Sequence, residues 1–471
     1  MMNKKKSQIF AIWLMLILMM VGCNQGKNKS GIPHHKALPL LSENSTKPNV
    51  LFIAVDDLND FPGFMGGNTI AKTPYMDRLA DRGVVFTQAH AQFPLCGPSR
   101  ASFMSGMLPS TLRYEGHMKD AEVQERAREL GTELLHTYFA EHGYKTMAVG
   151  KILHHHVPEA SVDISGGRLP FNEGTGRLGR NWDVKGTQTD WAMAPEKDEE
   201  LADHKAANWA VEQLKANHEE PFFMMVGFLR PHVPWYVPEK WFNLYEKEDI
   251  TLPPYKTDDL NDISEMAQRI SILPQYPKTE WAIENKQWKN IIHAYLASTS
   301  FVDHQIGRVI KALEASPYKD NTIIVLLSDQ GYHLGEKNTF QKETLWERSS
   351  HSPLIIAGPQ VKNGRCSKVV SLLDVYPTLV EMCGLPANKH NEGHSLLPLL
   401  NNPQSEWNHP SIFAYRENSF AVRTERYRYI RYGDGSEELY DHQTDTNEWN
   451  NLASKPEMTA IKKELASYLP E

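Results

Sequence analysis

Asn49-Val50-Leu51-Phe52-Ile53-Ala54-Val55-Asp56-Asp57 joins an uninterrupted apolar run, rich in β-branched and aromatic residues, to two adjacent carboxylates. An apolar run without polar alternation predicts a strand buried on both faces, the kind that parallel sheets contain. Residues 322–327 repeat the pattern and run into Ser328-Asp329-Gln330-Gly331. Helical periodicity marks 74–82, 130–143, 204–216 and 288–315, and further apolar runs fall at 146–150, 222–228 and 353–357. Strands alternating with helices predict an α/β protein with a mostly parallel central sheet sandwiched by helices. Ligands of such sheets bind beyond the carboxyl ends of the strands. Chemistry is therefore expected just after Val55, Val149, Gly227 and Leu327.

The pattern changes near residue 397. Ser411-Ile412-Phe413-Ala414-Tyr415, Phe420-Ala421-Val422-Arg423 and Tyr427-Arg428-Tyr429-Ile430-Arg431 read as short strands between turns, followed by Glu438-Leu439-Tyr440-Asp441-His442 and a helix over 456–469. This predicts a small C-terminal antiparallel sheet. At the other end, Lys4-Lys5-Lys6 precedes an apolar run at 9–21 that is short for a membrane span. Met20-Val21-Gly22-Cys23 then sets small residues beside a cysteine, as an export signal does. The position of Cys23 resembles the lipobox of bacterial lipoproteins, which implies lipidation of Cys23 and an exported protein held to a membrane, periplasmic or at the outer-membrane surface. Ordinary signal cleavage is the alternative. The expected organisation is a leader at 1–23, a polar tether at 24–48, a catalytic domain at 49–396 and an α+β subdomain at 397–471.

The 471 residues are 41% hydrophobic and 23% charged, with net charge -8. That is ordinary for a globular protein and argues against nucleic-acid binding, which needs a basic surplus on one face. An acidic protein that handles an anion must concentrate positive charge locally. Of four cysteines, Cys23 and Cys96 sit in motifs, and Cys366 and Cys383 can pair or stay free. There is no disulfide framework.

Asp56-Asp57 at a strand end repel each other unless a cation or donors hold them. Alone the pair reads as a solvated turn, but Asp329-Gln330 follows the second buried strand in the same way. Two acidic strand ends in one parallel sheet reach the same edge and can share one hard cation, Ca²⁺ or Mg²⁺. Cys96-Gly97-Pro98-Ser99-Arg100, followed by Ser105-Gly106, is the most specific segment. A cysteine near an arginine is either a buried residue or a thiol nucleophile, and the latter needs an oriented base that the sequence does not identify.

The segment resembles the sulfatase signature of cysteine or serine, any residue, Pro-Ser-Arg, four residues, then Thr-Gly; Ser105 stands in place of the Thr. The resemblance implies a fold of the alkaline-phosphatase superfamily and oxidation of Cys96 to formylglycine by a formylglycine-generating maturation enzyme. The hydrated aldehyde then provides a geminal diol as nucleophile. It further implies that Arg100 steadies that group and that Asp56, Asp57, Asp329, Gln330 and the modified Cys96 ligate one cation, expected to be Ca²⁺ with Mg²⁺ as the alternative. Gln330 departs from the family's Asn or His, but its amide oxygen can still ligate. Gly150-Lys151-Ile152-Leu153-His154 resembles the family's Gly-Lys-x-x-His, giving Lys151 to sulfate and His154 to the formylglycine. His155 and His156 follow at once, so a transition-metal histidine tract is the competing reading there. Arg230-Pro231-His232-Val233-Pro234 supplies His232 as the acid for the leaving alkoxide, and Lys342 matches the downstream sulfate-binding lysine.

Within the family the chain is similar to iduronate-2-sulfatases, in residues 50–57, the Gly150 to His154 spacing, 227–234 and Leu334-Gly335-Glu336. The implied substrate is a sulfated polysaccharide or oligosaccharide, with a 2-O-sulfated uronate as the lead. Residues 111–114 and 115–119 are the candidates for sugar contact. A phosphodiesterase or phosphonate monoester hydrolase of the same superfamily, a non-catalytic glycan-binding lipoprotein and a cysteine hydrolase are the alternatives.

Overall fold

The computed structural model describes residues 47–114, 116, 118–170 and 177–470. Cys23, the leader and nearly all of the tether lie outside the described residues. Among the described residues fourteen strands are formed: β1 Asn49–Val55, β2 Gly83–His90, β3 Lys145–Gly150, β4 Ile164–Ser165, β5 Trp191–Ala194, β6 Phe222–Phe228, β7 Trp235–Pro238, β8 Thr322–Ser328, β9 His351–Ala357, β10 Gly364–Ser371, β11 Ser411–Tyr415, β12 Ser419–Arg423, β13 Tyr427–Arg431 and β14 Glu437–Asp441.

Every residue of β1 is buried, and alternate side chains serve different cores. Val50, Phe52 and Ala54 pack with Ala101, Phe103, Phe139 and Leu379 on one face. Leu51, Ile53 and Val55 pack with Met76, Leu79, Ala207, Leu214, Val302 and Ile306 on the other. Period-two alternation between two apolar layers explains why the sequence shows no polar positions. The result is a helix–sheet–helix sandwich. Its eight-stranded sheet has the order β10-β2-β9-β8-β1-β6-β3-β4. Most pairings are parallel, and β9 runs antiparallel to both β8 and β2. Strands β2 and β10, which bring in one edge of the sheet, were not anticipated: Thr87 and Gln88 in β2, and Arg365 and Lys368 in β10, interrupt their apolar patterns.

The helix expected over 130–143 forms only as Leu135–Glu141, and an unanticipated helix, Asp120–Glu129, precedes it. Gly131 stands between them at φ +79°, where a helix cannot continue without leaving the right-handed region. The first of the pair buries only Val123, Gln124 and Ala127, which is too few apolar positions to register as periodicity. The four strands β11 to β14 form the antiparallel C-terminal sheet in sequence order. The terminal helix is shorter than expected, Thr459–Ala466 after a 3-10 turn at Pro456–Met458. Leu397–Asn401 is a helix whose Leu397, Leu399 and Leu400 join the main core, so the antiparallel architecture itself starts at Ser411. Cys366 and Cys383 are buried and free.

Candidate active site

Register places the site. Val55 of β1 lies beside Phe228 of β6 and Ser328 of β8, and Gly150 of β3 lies beside Gly227 of β6. Four neighbouring strands thus end level, and the residues that follow them converge. Gly150 and Gly227 permit this closeness. A Cβ on Gly150, which has φ +77°, would stand 2.0 Å from the Gly227 carbonyl oxygen, and one on Gly227 would stand 2.0 Å from that of Lys151.

Asp56, Asp57, Asp329 and Gln330 are all completely buried at this edge. Lys151 Nζ donates to Asp56 Oδ2 at 2.5 Å, and Lys342 Nζ to Asp57 Oδ1 at 2.6 Å. Gln330 Nε2 also donates to Asp57 Oδ1. Asp329 Oδ1 accepts from the Asp57 backbone N–H at 3.2 Å, and its Oδ2 from Arg100 Nε at 2.6 Å. Asp57 adopts φ +61°, an uncommon conformation for a residue with a Cβ. It is held there by the Asp329 contact and by Tyr295, whose hydroxyl donates to the Asp57 carbonyl at 2.7 Å.

Cys96 opens the helix Cys96–Ser105, where unpaired N–H groups and the helix dipole favour negative charge. It is 3% exposed, and His154 Nδ1 lies 3.5 Å from its sulfur. Ser99 Oγ donates to the Asp329 carbonyl at 2.5 Å. Arg100 Nη1 bonds the carbonyls of Lys151 and Ile152, so one arginine ties the helix that Cys96 opens to two strand ends. The three histidines separate cleanly. His154 faces Cys96, whereas His156 turns to the Gly150 carbonyl at 2.7 Å and Ser165 Oγ at 3.1 Å. His155 is exposed beside Asp120. They form no common ligand set, which removes the histidine-tract reading.

His232 Nε2 lies 3.8 Å from Asp57 Oδ2, and its Nδ1 is 2.6 Å from the Val233 carbonyl. Burial and the nearby Lys342 pull the His232 imidazole down to about 4, against Asp57 and Asp56. Burial works against ionised Asp56, but Lys151, His232, Lys342 and Arg100 outweigh it and hold the carboxyl well below the usual range. Burial opposes the charge on Lys342 as well, and Asp57 more than restores it.

The donor set fits a hard cation. Asp56 Oδ1, Asp57 Oδ2 and Gln330 Oε1 are buried acceptors with no hydrogen-bond partner, and Arg100 Nη2 is a donor in the same state. Such orphaned oxygens are costly unless a cation or donor meets them. Asp56, Asp57 and His232 also present ligand atoms within 4.8 Å of one another, so His232 borders the set expected from sequence. Of the sugar-contact candidates, Thr111 donates to Glu392 at 2.8 Å and Leu112 belongs to the core. Arg113 is exposed, and Tyr114 lies over Gly97, its hydroxyl 2.7 Å from where a Cβ would sit. Glu115 and His117 lie outside the described residues. Sequence reasoning missed Asp120, which accepts from the backbone N–H groups of His155 and His156 at 3.3 and 2.9 Å. It also missed Arg168, which no motif marks.

A second acidic cluster, Glu347, His442 and Glu448, joins the C-terminal sheet to the main one. There the Arg428 guanidinium occupies the cation's place, 2.7 Å from Glu347 and 3.0 Å from Glu448.

Residues 48–385 match the family model named Sulfatase, and 335–471 match the model for the C-terminal region of N-sulphoglucosamine sulphohydrolase. A sulfatase of Formosa agariphila is 43% identical, covering 98% of this chain and 91% of that protein. Mouse iduronate 2-sulfatase is 27% identical over 81% of this chain and 84% of its own length. Among solved structures, the phosphonate monoester hydrolase of Silicibacter pomeroyi shares the fold, with a TM-score of 0.74 at 20% identity, covering 90% of this chain and 94% of that one.

Proposed function

The chain belongs to the sulfatase family and is a hydrolase of sulfate esters; from that premise we propose that it cleaves sulfate from a glycan, with Cys96 matured to formylglycine as the nucleophile. The observation that carries the reading is a set of three orphaned acceptor oxygens, from Asp56, Asp57 and Gln330, at the strand edge where Lys151, Lys342 and Arg100 are also held.

Asp56, Asp57, Asp329, Gln330 and position 96 would hold a hard cation, Ca²⁺ or Mg²⁺, which would supply charge neutralisation and polarisation of the sulfuryl group. Hydrated formylglycine supplies two hydroxyls on one carbon, one to attack sulfur and the other to expel the bound sulfate as the aldehyde re-forms. Lys151, Lys342 and the free Nη2 of Arg100 are fixed by buried carboxylates and carbonyls, so they meet the sulfate oxygens without reorganising. His154 orients position 96 through Nδ1. The Val233 carbonyl can only accept, so His232 Nδ1 carries a proton. Nε2 delivers one to the departing sugar oxygen from the doubly protonated ring, which burial and Lys342 disfavour and the negative charge of Asp57 and of a bound sulfate ester promotes. An unassisted alkoxide leaves poorly, and a positioned acid contributes roughly 10²–10⁴-fold.

The substrate lead is a 2-O-sulfated uronate, supported by the similarity to iduronate 2-sulfatase. Export, with Cys23 lipidated and the enzyme on the periplasmic or outer face of a membrane, suits an external glycan. Release of sulfate, against release of phosphate or phosphonate, from matched 4-nitrophenyl esters tests the reaction. Sulfate release that chelation stops and thiol alkylation spares is the expected result. Faster turnover of the phosphorus esters would move the protein to the phosphonate-hydrolase reading, and loss on alkylation would restore a thiol nucleophile.

A further inference from the structure

Arg168 follows Gly166-Gly167 in a turn fixed from both sides. Gly150 N–H donates to the Gly167 carbonyl at 2.9 Å, and Gly167 N–H to Ser165 Oγ at 3.1 Å. Gly167 stands at φ +73° and Leu169 at φ +57°. A leucine in the left-handed region is strained, and such positions persist where packing over-determines them, often at functional sites. Here Leu169 packs against the core of one sheet face. The turn therefore carries Arg168 across the end of β3, close to Lys151.

The surroundings of the guanidinium are unusual. Asp56, Asp120 and Cys96 attract its charge and Arg100 repels it, but burial is the largest influence and holds it below the ordinary arginine range. Among the described residues it forms no hydrogen bond or salt bridge, and Nη1 is buried with no acceptor. An arginine carries five donors in a rigid fork matched to carboxylate and sulfate-like oxyanions. Leaving one of them buried and unpaired is destabilising. Arg100 and Lys151, its neighbours at the strand ends, are both anchored by short bonds to protein oxygens. Of these three cations, Arg168 is the one with no protein oxygen anchoring it among the described residues.

We propose that Arg168 binds a second anionic group of the substrate, a carboxylate or a further sulfate on or beside the sugar that carries the scissile ester. The enzyme thereby selects multiply charged glycans. This rests on the reading of the Cys96 edge as the site of ester cleavage. Arg168 is a specificity residue, and Lys151 and Lys342 remain the groups that hold the sulfate being cleaved.

The test uses the matured full-length chain, wild type against Arg168→Met and Arg168→Lys. Three probes are compared: 4-nitrophenyl sulfate, a 2-O-sulfated uronate disaccharide and glucosamine 2-N,6-O-disulfate. The sugars are followed both as substrates and as competitive inhibitors of aryl-sulfate turnover. In Arg168→Met, kcat/KM or inhibition by at least one charged sugar is expected to fall roughly 10- to 100-fold relative to 4-nitrophenyl sulfate. Arg168→Lys, which keeps the charge and loses the fork, is expected to fall between. A loss confined to the uronate assigns the carboxylate, and one confined to the disulfate assigns the second sulfate. Equal loss on all three probes would make Arg168 a structural charge and overturn the proposal, as would no loss on either sugar. Wild-type enzyme that releases sulfate from no probe would instead bring down the reading of the Cys96 edge.

Discussion

At the scale of single residues, the site depends on backbone proximity as much as on side-chain chemistry. Gly227→Ala puts a methyl group 2.0 Å from the Lys151 carbonyl oxygen, so the ends of β3 and β6 must separate. Lys151 and His154 then move away from Cys96, and a displacement of this size is expected to cost about 10²-fold in kcat/KM. Gly143→Ala is the control. It also has positive φ, at +79°, but its Cβ would meet nothing within 4 Å. It should lose about 1 kcal/mol of stability through strain alone and keep its activity. Side-by-side kinetics and thermal melts of the two variants check the contrast. These glycines also show what was legible. Lys151 and His154 could be found because they sit in a short linear motif. Arg168 could not, because its role depends on a turn that folds back over the end of β3.

At the scale of elements, the strands β1, β6 and β8 match their sequence ranges to within a residue, because burial on both faces leaves an unbroken apolar signal. Strands β2 and β10 were hidden: Thr87 and Gln88 are half-buried, and Arg365 and Lys368 reach solvent on a sheet edge. The helix Asp120–Glu129 was hidden for the same reason, since most of its residues face water. The C-terminal sheet was visible as alternation, but its attachment was not. That attachment is the buried network of Glu347, Arg423, Arg428, His442 and Glu448, whose members come from distant parts of the chain. Arg428→Met removes the buried guanidinium that Glu347 and Glu448 share. A loss of about 3–5 kcal/mol is expected, measured by denaturant unfolding. A loss below 1 kcal/mol would mean that the apolar packing of β11 to β14 carries the attachment.

At the scale of the whole molecule, two buried carboxylates outside the candidate site contribute to how stability responds to pH. Asp303 accepts from Met76 N–H at 2.8 Å and Asp374 from the N–H groups of Ser371 and His394 at 2.8 Å each. Burial pushes both up from 3.8 to about 7. The folded state therefore binds protons that the unfolded chain has already released. The stability these groups contribute is complete below about pH 4 and is lost as pH rises through about 7. Each group is expected to add a slope of about 1.4 kcal/mol per pH unit across that window. Unfolding of Asp374→Asn between pH 5 and 8 should show a shallower decline than wild type. The catalytic account itself turns on one atom, the sulfur of Cys96. Its most direct test is the intact mass of the tryptic peptide containing residue 96, from protein made in a host with the maturation machinery. The account predicts the mass of the aldehyde or its hydrate in place of the thiol, in the fraction that hydrolyses sulfate esters. An unmodified thiol in active enzyme would contradict it.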